Sequence, residues 1–428
     1  MSVKKLKILI VGAAGGREHA LGWKIAQSKR AGELFFARGN AGTAELGTNL
    51  DIKEKEIPKL LEFAQKEKID LTLALSDDPL ALGIVDEFQK EGLRIWGPTK
   101  AAAQLEWSKA FSKEFMRRHG LPTAKFETFT GFGAAKKYVS QQPLPIVIKA
   151  DGLALGKGVV IAQSFEEANQ TLEEIMVKKI FGNSGTTVVI EEFLVGPEIS
   201  IHAFSDGESY KMFPVSQDHK RIGEGDTGLN TGGVGTIAPL PFVDKEMMAK
   251  IEKEIVAATL EGIRTDGTPF EGILYPGLIL TKDGPKILEY NARFGDPEAQ
   301  IYMRLLENDL LDIVDALIDK KLNKLEIKWK NLFACNIVLC SGGYPGEYEK
   351  GKIISGIEKI IEKDTVVFHA GTKIVRQDLT TNGGRVLGIS ATGKSLKEAL
   401  DKAYEAISKI SFEGMQYRKD IGKKALEL

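Results

Sequence analysis

A chain of 428 residues is too long for a single growing core and implies about two to four domains, each able to fold without disulfide or metal staples. Its 58 Lys and Arg against 59 Asp and Glu leave a formal charge of -1 with no long block of either sign. That balance excludes the basic stripe or tail of a nucleic-acid surface and points to a small-molecule protein. The only two cysteines, Cys335 and Cys340, lie in the apolar run NLFACNIVLC. They exclude a disulfide framework and a four-ligand zinc site, and inert core thiols are expected.

The opening MSVKKLKILIVGAAGGREHA sets lysines before an apolar run, as a secretory signal does. The run is short, has no cleavage region and passes into a glycine turn, so Lys7 to Val11 reads as a first buried strand. No stretch approaches the ~18 apolar residues of a membrane span. No membrane contact and a cytoplasmic location are the expectation. A helix from Glu18 to Ser28 follows, then strand LFFA, helix EIPKLLEFAQKEK, strand DLTLAL, helix PLALGIVDEFQKEG and strand LRIWG. Strands alternating with helices in this way predict an open parallel sheet, ending near Gly97-Pro98-Thr99.

Gly12, Gly15 and Gly16 stand between the first strand and helix, where backbone N–H groups and a helix N-terminus can face a phosphate. Ala14 replaces the second glycine of G-x-G-x-x-G, and the second strand runs into Arg38-Gly39-Asn40 instead of an acid. Phosphate or phosphoribose binding is therefore favoured over a dinucleotide, with a tight structural turn as the alternative. Asn40 to Gly42, read as a flexible loop, and Ser76 to Asp78 lie at succeeding strand ends, where ligands of open sheets collect.

Ala101 to His119 is helical in pattern. Beyond Pro122 come strand AKFETF, helix GAAKKYVS, the paired runs PIVIKA and GVVIA, a helix from Phe165 to Lys178 and strand TTVVIEEFL, a compact α+β unit. The loop DGLALGKG between the paired runs is not the familiar phosphate loop, because a strand and not a helix follows Lys157 and Gly158. It reads as a hairpin tip able to cover a phosphate chain, with Lys149 and Lys157 as point charges; the alternative is a solvated turn. In VVIEEFLVGPE, the strand ending at Glu191 and Glu192 can offer backbone groups to an adenine edge, and Glu198 is near enough to hold ribose hydroxyls.

A strand-rich region follows: EISIHAFSDG, SYKMFPVS, a helix after Asp244, the hairpin ILYPGLILTKDGPKILEYNARFGD and a helical run from Pro297 to Lys320. The final portion begins near Leu325 or Glu326 and carries short strands, glycine turns and the helix SLKEALDKAYEAISKI. Period two places Glu289, Asn291 and Arg293 on one strand face, where a carboxylate and an amide oxygen suit magnesium. An ordinary Glu-Arg pair is the alternative, and spacing leaves Glu271 and Asp296 undecided. In SQDHKRIGEGDTGLNTGGVG, Lys220 and Arg221 can meet carboxylate and phosphate, Asp218 can meet an ammonium, and Asn230 to Gly233 form a turn for close backbone approach; solvated loop charges are the alternative. His219 is expected to support this loop, whereas His202 and His369 have no catalytic role.

VGAAGGREHAL, WGPTKAAAQLEWSKAFSKEFM, PIVIKADGLALGKGV, VVIEEFLVGPEIS, SQDHKRIGEGDTGLNTGG, ILEYNARFGDPE, SGGYPG, FHAGTK and TNGGRVL follow one another from about residue 8 to the final RKDIG. As an ordered set they resemble the phosphoribosylamine-glycine ligase family of the ATP-grasp superfamily. The resemblance implies an α/β and α+β multidomain fold: an N-terminal open parallel sheet for phosphoribosylamine (1–102), a larger ATP-grasp domain (103–121 plus 194–325), an inserted small lid (122–193) and a C-terminal α+β domain (326–428). It also implies a monomer, ATP and Mg2+ or Mn2+ as cofactors, glycine and 5-phospho-β-D-ribosylamine as substrates, and a glycyl phosphate intermediate on the way to glycinamide ribonucleotide in purine synthesis.

The same resemblance assigns Lys109 and Lys149 to ATP phosphates, and Gly156, Lys157 and Gly158 to the lid loop. It assigns Glu191, Glu192, Phe193 and Leu194 to adenine and Glu198 to ribose. Glu289 and Asn291 match the metal ligands. Lys157, Asp218, Lys220 and Arg293 match the residues that handle glycine and the reacting phosphoryl group. Gly12, Gly15, Gly16, Asn230, Thr231 and Gly232 match the substrate-binding turns. Two departures stand out: ALSDD where a Gly-Pro-Glu-like sequence is frequent, and GLNTGG for GPNTGG. They imply altered sugar-side contacts rather than another reaction. Another ATP-grasp ligase, a carboxylase component and a non-catalytic nucleotide-binding regulator are the competing readings.

Overall fold

The computed structural model describes residues 4–153 and 158–427. The first sheet is parallel, with strands in the order Thr48–Leu50, Ala31–Ala37, Leu6–Val11, Leu71–Ala74, Ile95–Trp96. Ile8 to Val11 and Leu71 to Leu73 are almost wholly buried, because helices cover both faces, and this is why these strands read as continuous apolar runs. The edge strand Thr48–Leu50 is three residues long and largely exposed, so it left no such run. The helix expected over PLALGIVDEFQKEG is two, Asp77–Leu82 and Ile84–Lys90, parted at Gly83 with φ of 90°. The Asn40 to Gly42 loop is not the flexible one expected. Asn40 is buried and donates to the carbonyls of Ala14 and His369 at 3.2 and 2.8 Å, and a Cβ on Gly42 would collide with the His19 ring.

The helical pattern over Ala101 to His119 also divides, at Ser108, into Gln104–Trp107 and Lys109–Arg118. Ser108 is extended, and its hydroxyl accepts from the Phe111 amide at 3.1 Å, an N-cap that starts the second helix at Lys109. Next comes a four-stranded antiparallel sheet in the order Phe126–Phe129, Val188–Glu192, Ile146–Ala150, Val159–Ala162. With the helices Phe132–Val139 and Phe165–Leu172 it closes a separate apolar core around Val139, Ile148, Leu172 and Ile190.

The run EISIHAFSDG is interrupted, giving Glu198–Ser200 and Ala203–Asp206, both antiparallel to the long strand Glu271–Thr281. The gap faces Pro276, which accepts from the Ile201 amide at 3.2 Å but has no N–H to return. Gly284–Asn291 pairs with the same long strand through a bulge: Gly277 faces Glu289 while Leu278 faces Ile287, leaving Leu288 extra. Pro285, Ile287 and Tyr290 are buried, so the buried face shifts register at the bulge and Glu289 and Asn291 turn away from the core.

The last sheet is antiparallel, in the order Gln217–Asp218, Gly235–Ala238, Phe333–Cys340, Arg385–Gly393, Thr365–His369. Two of its strands therefore come from the middle of the chain and flank the loop between Asp218 and Gly235. The helical run from Pro297 to Lys320 breaks into Glu298–Leu305 and Leu310–Ile318, the second capped by Asp309 accepting from the Leu311 amide at 2.9 Å. Cys335 and Cys340 are buried and burial pushes both thiols up to about 12, which makes them unreactive. Among the described residues, no helix is long and apolar enough to cross a membrane.

Candidate active site

A cleft of about 740 Å3 opens where the first sheet, the small antiparallel unit, the long hairpin and the last sheet meet. Every described site residue expected from the sequence lines it except Gly12 and Gly16. Gly156 and Lys157 lie outside the described residues. Gly158 lines the cleft, and its carbonyl accepts from the Ala150 amide at 2.8 Å, closing the strands on either side of the loop.

At one end, Lys109 begins its helix and donates to the Gly152 carbonyl at 2.8 Å. Asp151, from the neighbouring hairpin, accepts from Ser108 Oγ at 3.1 Å and the Ala110 amide at 3.0 Å, so the hairpin and this helix N-terminus are tied together. Lys149 Nζ lies 2.9 Å from Glu191 Oε1 and donates to the Leu288 carbonyl at 3.0 Å. Glu191 Oε2 lies 3.0 Å from Lys113 Nζ, which also donates to Thr123 Oγ1 at 2.7 Å. Burial works against the Glu191 charge, but the two ammonium groups outweigh it and hold its carboxyl below the usual range. Burial pulls Lys113 down to about 8. The Glu191 side chain is thus committed to ion pairs, and only its backbone remains for an adenine edge. Glu192 turns its carboxylate to the Lys125 amide at 2.9 Å, while the side chains of Phe193 and Glu198 stay open to solvent.

In the middle, Lys220 Nζ stands 3.2 Å from Glu289 Oε1 and 3.8 Å from Glu198 Oε2. The Lys220 ammonium, with Lys149 and Lys109 behind it, outweighs burial and holds Glu289 down to about 2, and Glu289 in turn raises Lys220. Asn291 Oδ1 accepts from Arg293 Nη2 at 3.3 Å, and Arg293 is anchored by Glu106 at 2.9 Å. Glu106 also accepts from the Ala292 amide at 2.9 Å, fixing the end of the strand, although burial raises its own pKa. Among the described residues no three His, Cys, Asp or Glu side chains gather to form a closed metal site. One ionised carboxylate and one amide oxygen fit a hard cation that draws its other ligands from water and phosphate, and they do not fit a thiolate- or imidazole-seeking metal.

At the far end, the Gly15 amide donates to Glu18 Oε2 at 2.7 Å, and Arg17 grips Glu18 Oε1 at 2.7 Å and the Phe294 carbonyl at 3.1 Å. Gly12 and Gly16 sit behind this turn, where a Cβ would collide with Glu18 and Gln300 respectively; their small size serves packing. Asp77 lines the cleft, whereas Asp78 pairs with Lys55 at 2.6 Å outside it. Asp218 Oδ1 is buried with no hydrogen-bond partner among the described residues, and burial together with nearby Glu298 raises its pKa well above the usual range. Glu298 accepts from Tyr275 Oη at 2.5 Å and Ser200 Oγ at 3.3 Å. Thr231 Oγ1 donates to the Lys220 carbonyl at 2.8 Å, and the Gly232 amide to Tyr344 Oη at 3.1 Å. Arg221 turns aside to the Gly228 carbonyl at 2.7 Å.

His219 is a support: its Nε2 accepts from the Gly422 amide at 3.2 Å, leaving Nδ1–H to donate to the Gly235 carbonyl at 3.0 Å. Asp296 joins the cleft and pairs with Arg385 at 3.1 Å, whereas Glu271 pairs with Lys320 at 3.1 Å, away from it. Sequence reasoning passed over Arg17, Glu106, Lys113, Tyr275, Glu298 and Arg385, all of which line the cleft. Lys113 had a signal, since it follows Lys109 by one helical turn on the same face. Arg385 stood within the motif TNGGRVL, but no spacing tied it to the cleft, into which the last sheet brings it.

Three family models tile the chain: Phosphoribosylglycinamide synthetase N domain over residues 6–106, ATP-grasp (A) domain over 107–299 and C domain over 334–424. A phosphoribosylamine–glycine ligase of Vibrio vulnificus is 48% identical over 424 residues, covering 98% of this chain and 99% of that protein. The crystal structure of a phosphoribosylamine–glycine ligase from Thermotoga maritima superposes with a TM-score of 0.85 at 36% identity, covering 97% of this chain and all of that one. A biotin carboxylase from Campylobacter jejuni, at 15% identity and TM-score 0.76 over 99% of this chain and 95% of its own, shares the fold alone. Matches of this extent along the whole chain, together with the cleft they converge on, leave one conclusion: the chain belongs to the phosphoribosylglycinamide synthetase family.

Proposed function

We propose that the cleft joins glycine to 5-phospho-β-D-ribosylamine with consumption of ATP, and that the residues described above divide the work. The observation that carries this reading is the meeting of Lys109, Lys149, Lys220 and Arg293 around the ionised Glu289 and the Asn291 amide in one cleft. Glycine carboxylate oxygen attacks the terminal phosphorus of ATP, the bond to ADP breaks, and glycyl phosphate forms. The amine of phosphoribosylamine then attacks its carbonyl carbon, phosphate leaves, and the nitrogen loses a proton to give the amide.

Lys109 and Lys149 neutralise phosphate oxygens, and Lys220 and Arg293 face the charge that grows on the phosphoryl group in transfer. The Glu191 to Leu194 backbone receives adenine and Glu198 the ribose. Asp218 takes the glycine ammonium; the Gly15 turn and Asn230 to Gly232 hold the phosphoribosylamine. The hard-oxygen pair of Glu289 and Asn291 would hold Mg2+ or Mn2+, which would supply positive charge to the phosphates. We assign residues 1–102, 103–121 with 194–325, 122–193 and 326–428 to the acceptor-binding, larger nucleotide-binding, lid and C-terminal units, supported by the separate core of the small antiparallel unit.

Mass spectrometry of the product from labelled glycine, phosphoribosylamine, ATP and Mg2+ tests the reaction. Glycinamide ribonucleotide that appears only when all are present is the expected result; ATP turnover without the acceptor-linked product would reject it. Glu289→Gln tests the metal assignment: unchanged Mg2+ affinity and rate would remove Glu289 from that role.

A further inference from the structure

The loop from Asp218 to Gly233 carries much of the proposed chemistry, yet the groups that shape it come from the end of the chain. Residues 224–229 are exposed and offer no apolar anchor of their own. Arg418, only 2% exposed, reaches in behind them. Its Nη1 donates to the Arg221 carbonyl at 3.1 Å and to Asp226 Oδ1 at 2.7 Å. Its Nε and Nη2 donate to the Asp420 carboxylate, each at 2.8 Å, and Asp420 Oδ2 also accepts from the Gly225 amide at 2.7 Å. Lys424 closes the other oxygen of Asp226, and the Gly422 amide holds His219. One buried guanidinium therefore fixes the carbonyl next to Lys220 and the turn that follows it. Arg418 does not itself line the cleft.

We propose that Arg418 is a positioning residue for the ligation, holding the loop so that Lys220 and Asp218 meet glycine and the transferred phosphoryl group. This rests on the functional reading above. A planar fork that satisfies one carbonyl and two carboxylates at once cannot be reproduced by an ammonium, so lysine should restore charge but not the geometry. The phosphate and adenine end, built from Lys109, Lys149 and the Glu191 strand, receives no hydrogen bond from Arg418 among the described residues and should be spared.

The test compares Arg418→Met and Arg418→Lys with the unaltered chain, reading the affinity for an ATP analogue by titration and kcat/KM for glycine and for phosphoribosylamine. Arg418→Met is expected to keep analogue affinity within about twofold while kcat/KM for the other two falls about tenfold or more, with Arg418→Lys between. Unchanged constants, or an equal fall in analogue affinity, would overturn the proposal. If Arg418→Met does not fold, Asp420→Asn decides by the same readings: a smaller loss confined to glycine and phosphoribosylamine supports it, and no loss or an indiscriminate one overturns it. Failure of the functional reading would show separately, as a lack of product from the unaltered chain.

Discussion

Lys220 Nζ lies 3.2 Å from Glu289 Oε1, an ion pair that joins the loop after Gln217–Asp218 to the strand Gly284–Asn291. It places a cation of the proposed phosphoryl site on a ligand of the proposed metal site. Lys220→Met removes the largest influence holding Glu289 at about 2 against its ordinary 4.5. Because the folded value is depressed, the stabilisation from Glu289 is complete above about pH 4.5 and lost as pH falls through about 2. In Lys220→Met the stabilisation should be smaller and its loss complete at higher pH, visible as an upward-shifted carboxyl titration by NMR, and turnover should fall about 100-fold or more.

Lys113 and Glu191 are both buried, their side chains 2% exposed, at 3.0 Å. Lys113→Met leaves Glu191 Oε2 without its donor while Lys149 still balances the charge, and should destabilise the protein by about 1–3 kcal/mol in urea denaturation. Adding Glu191→Gln should deepen the loss, since the buried Lys149 ammonium would then be left without its carboxylate.

Gly15 and Gly12 separate binding from packing. A Cβ on Gly15 would press on Asp296 and Glu18 at the cleft wall, so Gly15→Ala should raise the KM for phosphoribosylamine before it alters ATP binding. Gly12→Ala drives only into Glu18 and should lower the melting temperature with a lesser effect on KM.

Four buried imidazoles predict acid sensitivity, and burial holds His202 well below its ordinary value. Burial, aided by His369, lowers His19 to about 3, and burial lowers His219 and His369 to about 4, all from 6.5. The unfolded chain therefore binds more protons between pH 6.5 and about 4, and stability must fall as pH drops through that window. Between pH 7 and 5 the loss should be roughly 2 kcal/mol for each histidine, measured as a difference in urea unfolding free energy.

The parallel sheet, the small antiparallel unit and the long hairpin were legible because their strands are buried on both faces or bounded by glycine and proline turns. Where the reading ran helices or strands together, the breaks lie at residues whose effect depends on a partner: Ser108 capping Phe111, Gly83 in a left-handed turn, Asp309 capping Leu311, and Pro276 opposite Ile201. Asn40 looked mobile by composition and proved to be a buried brace, because the His369 carbonyl that fixes it is distant in sequence.

By itself the sequence determined which side chains can share a face, as period two did for Glu289 and Asn291, and which ordered motifs mark the family. Tertiary structure decided which way that face points, since the bulge at Leu288 turns Glu289 out of the core and into the cleft. It also decided that Arg385 and Arg418, from the end of the chain, would frame a loop in its middle. Such contacts form only when strands remote in sequence complete one sheet, and local spacing carries no record of them.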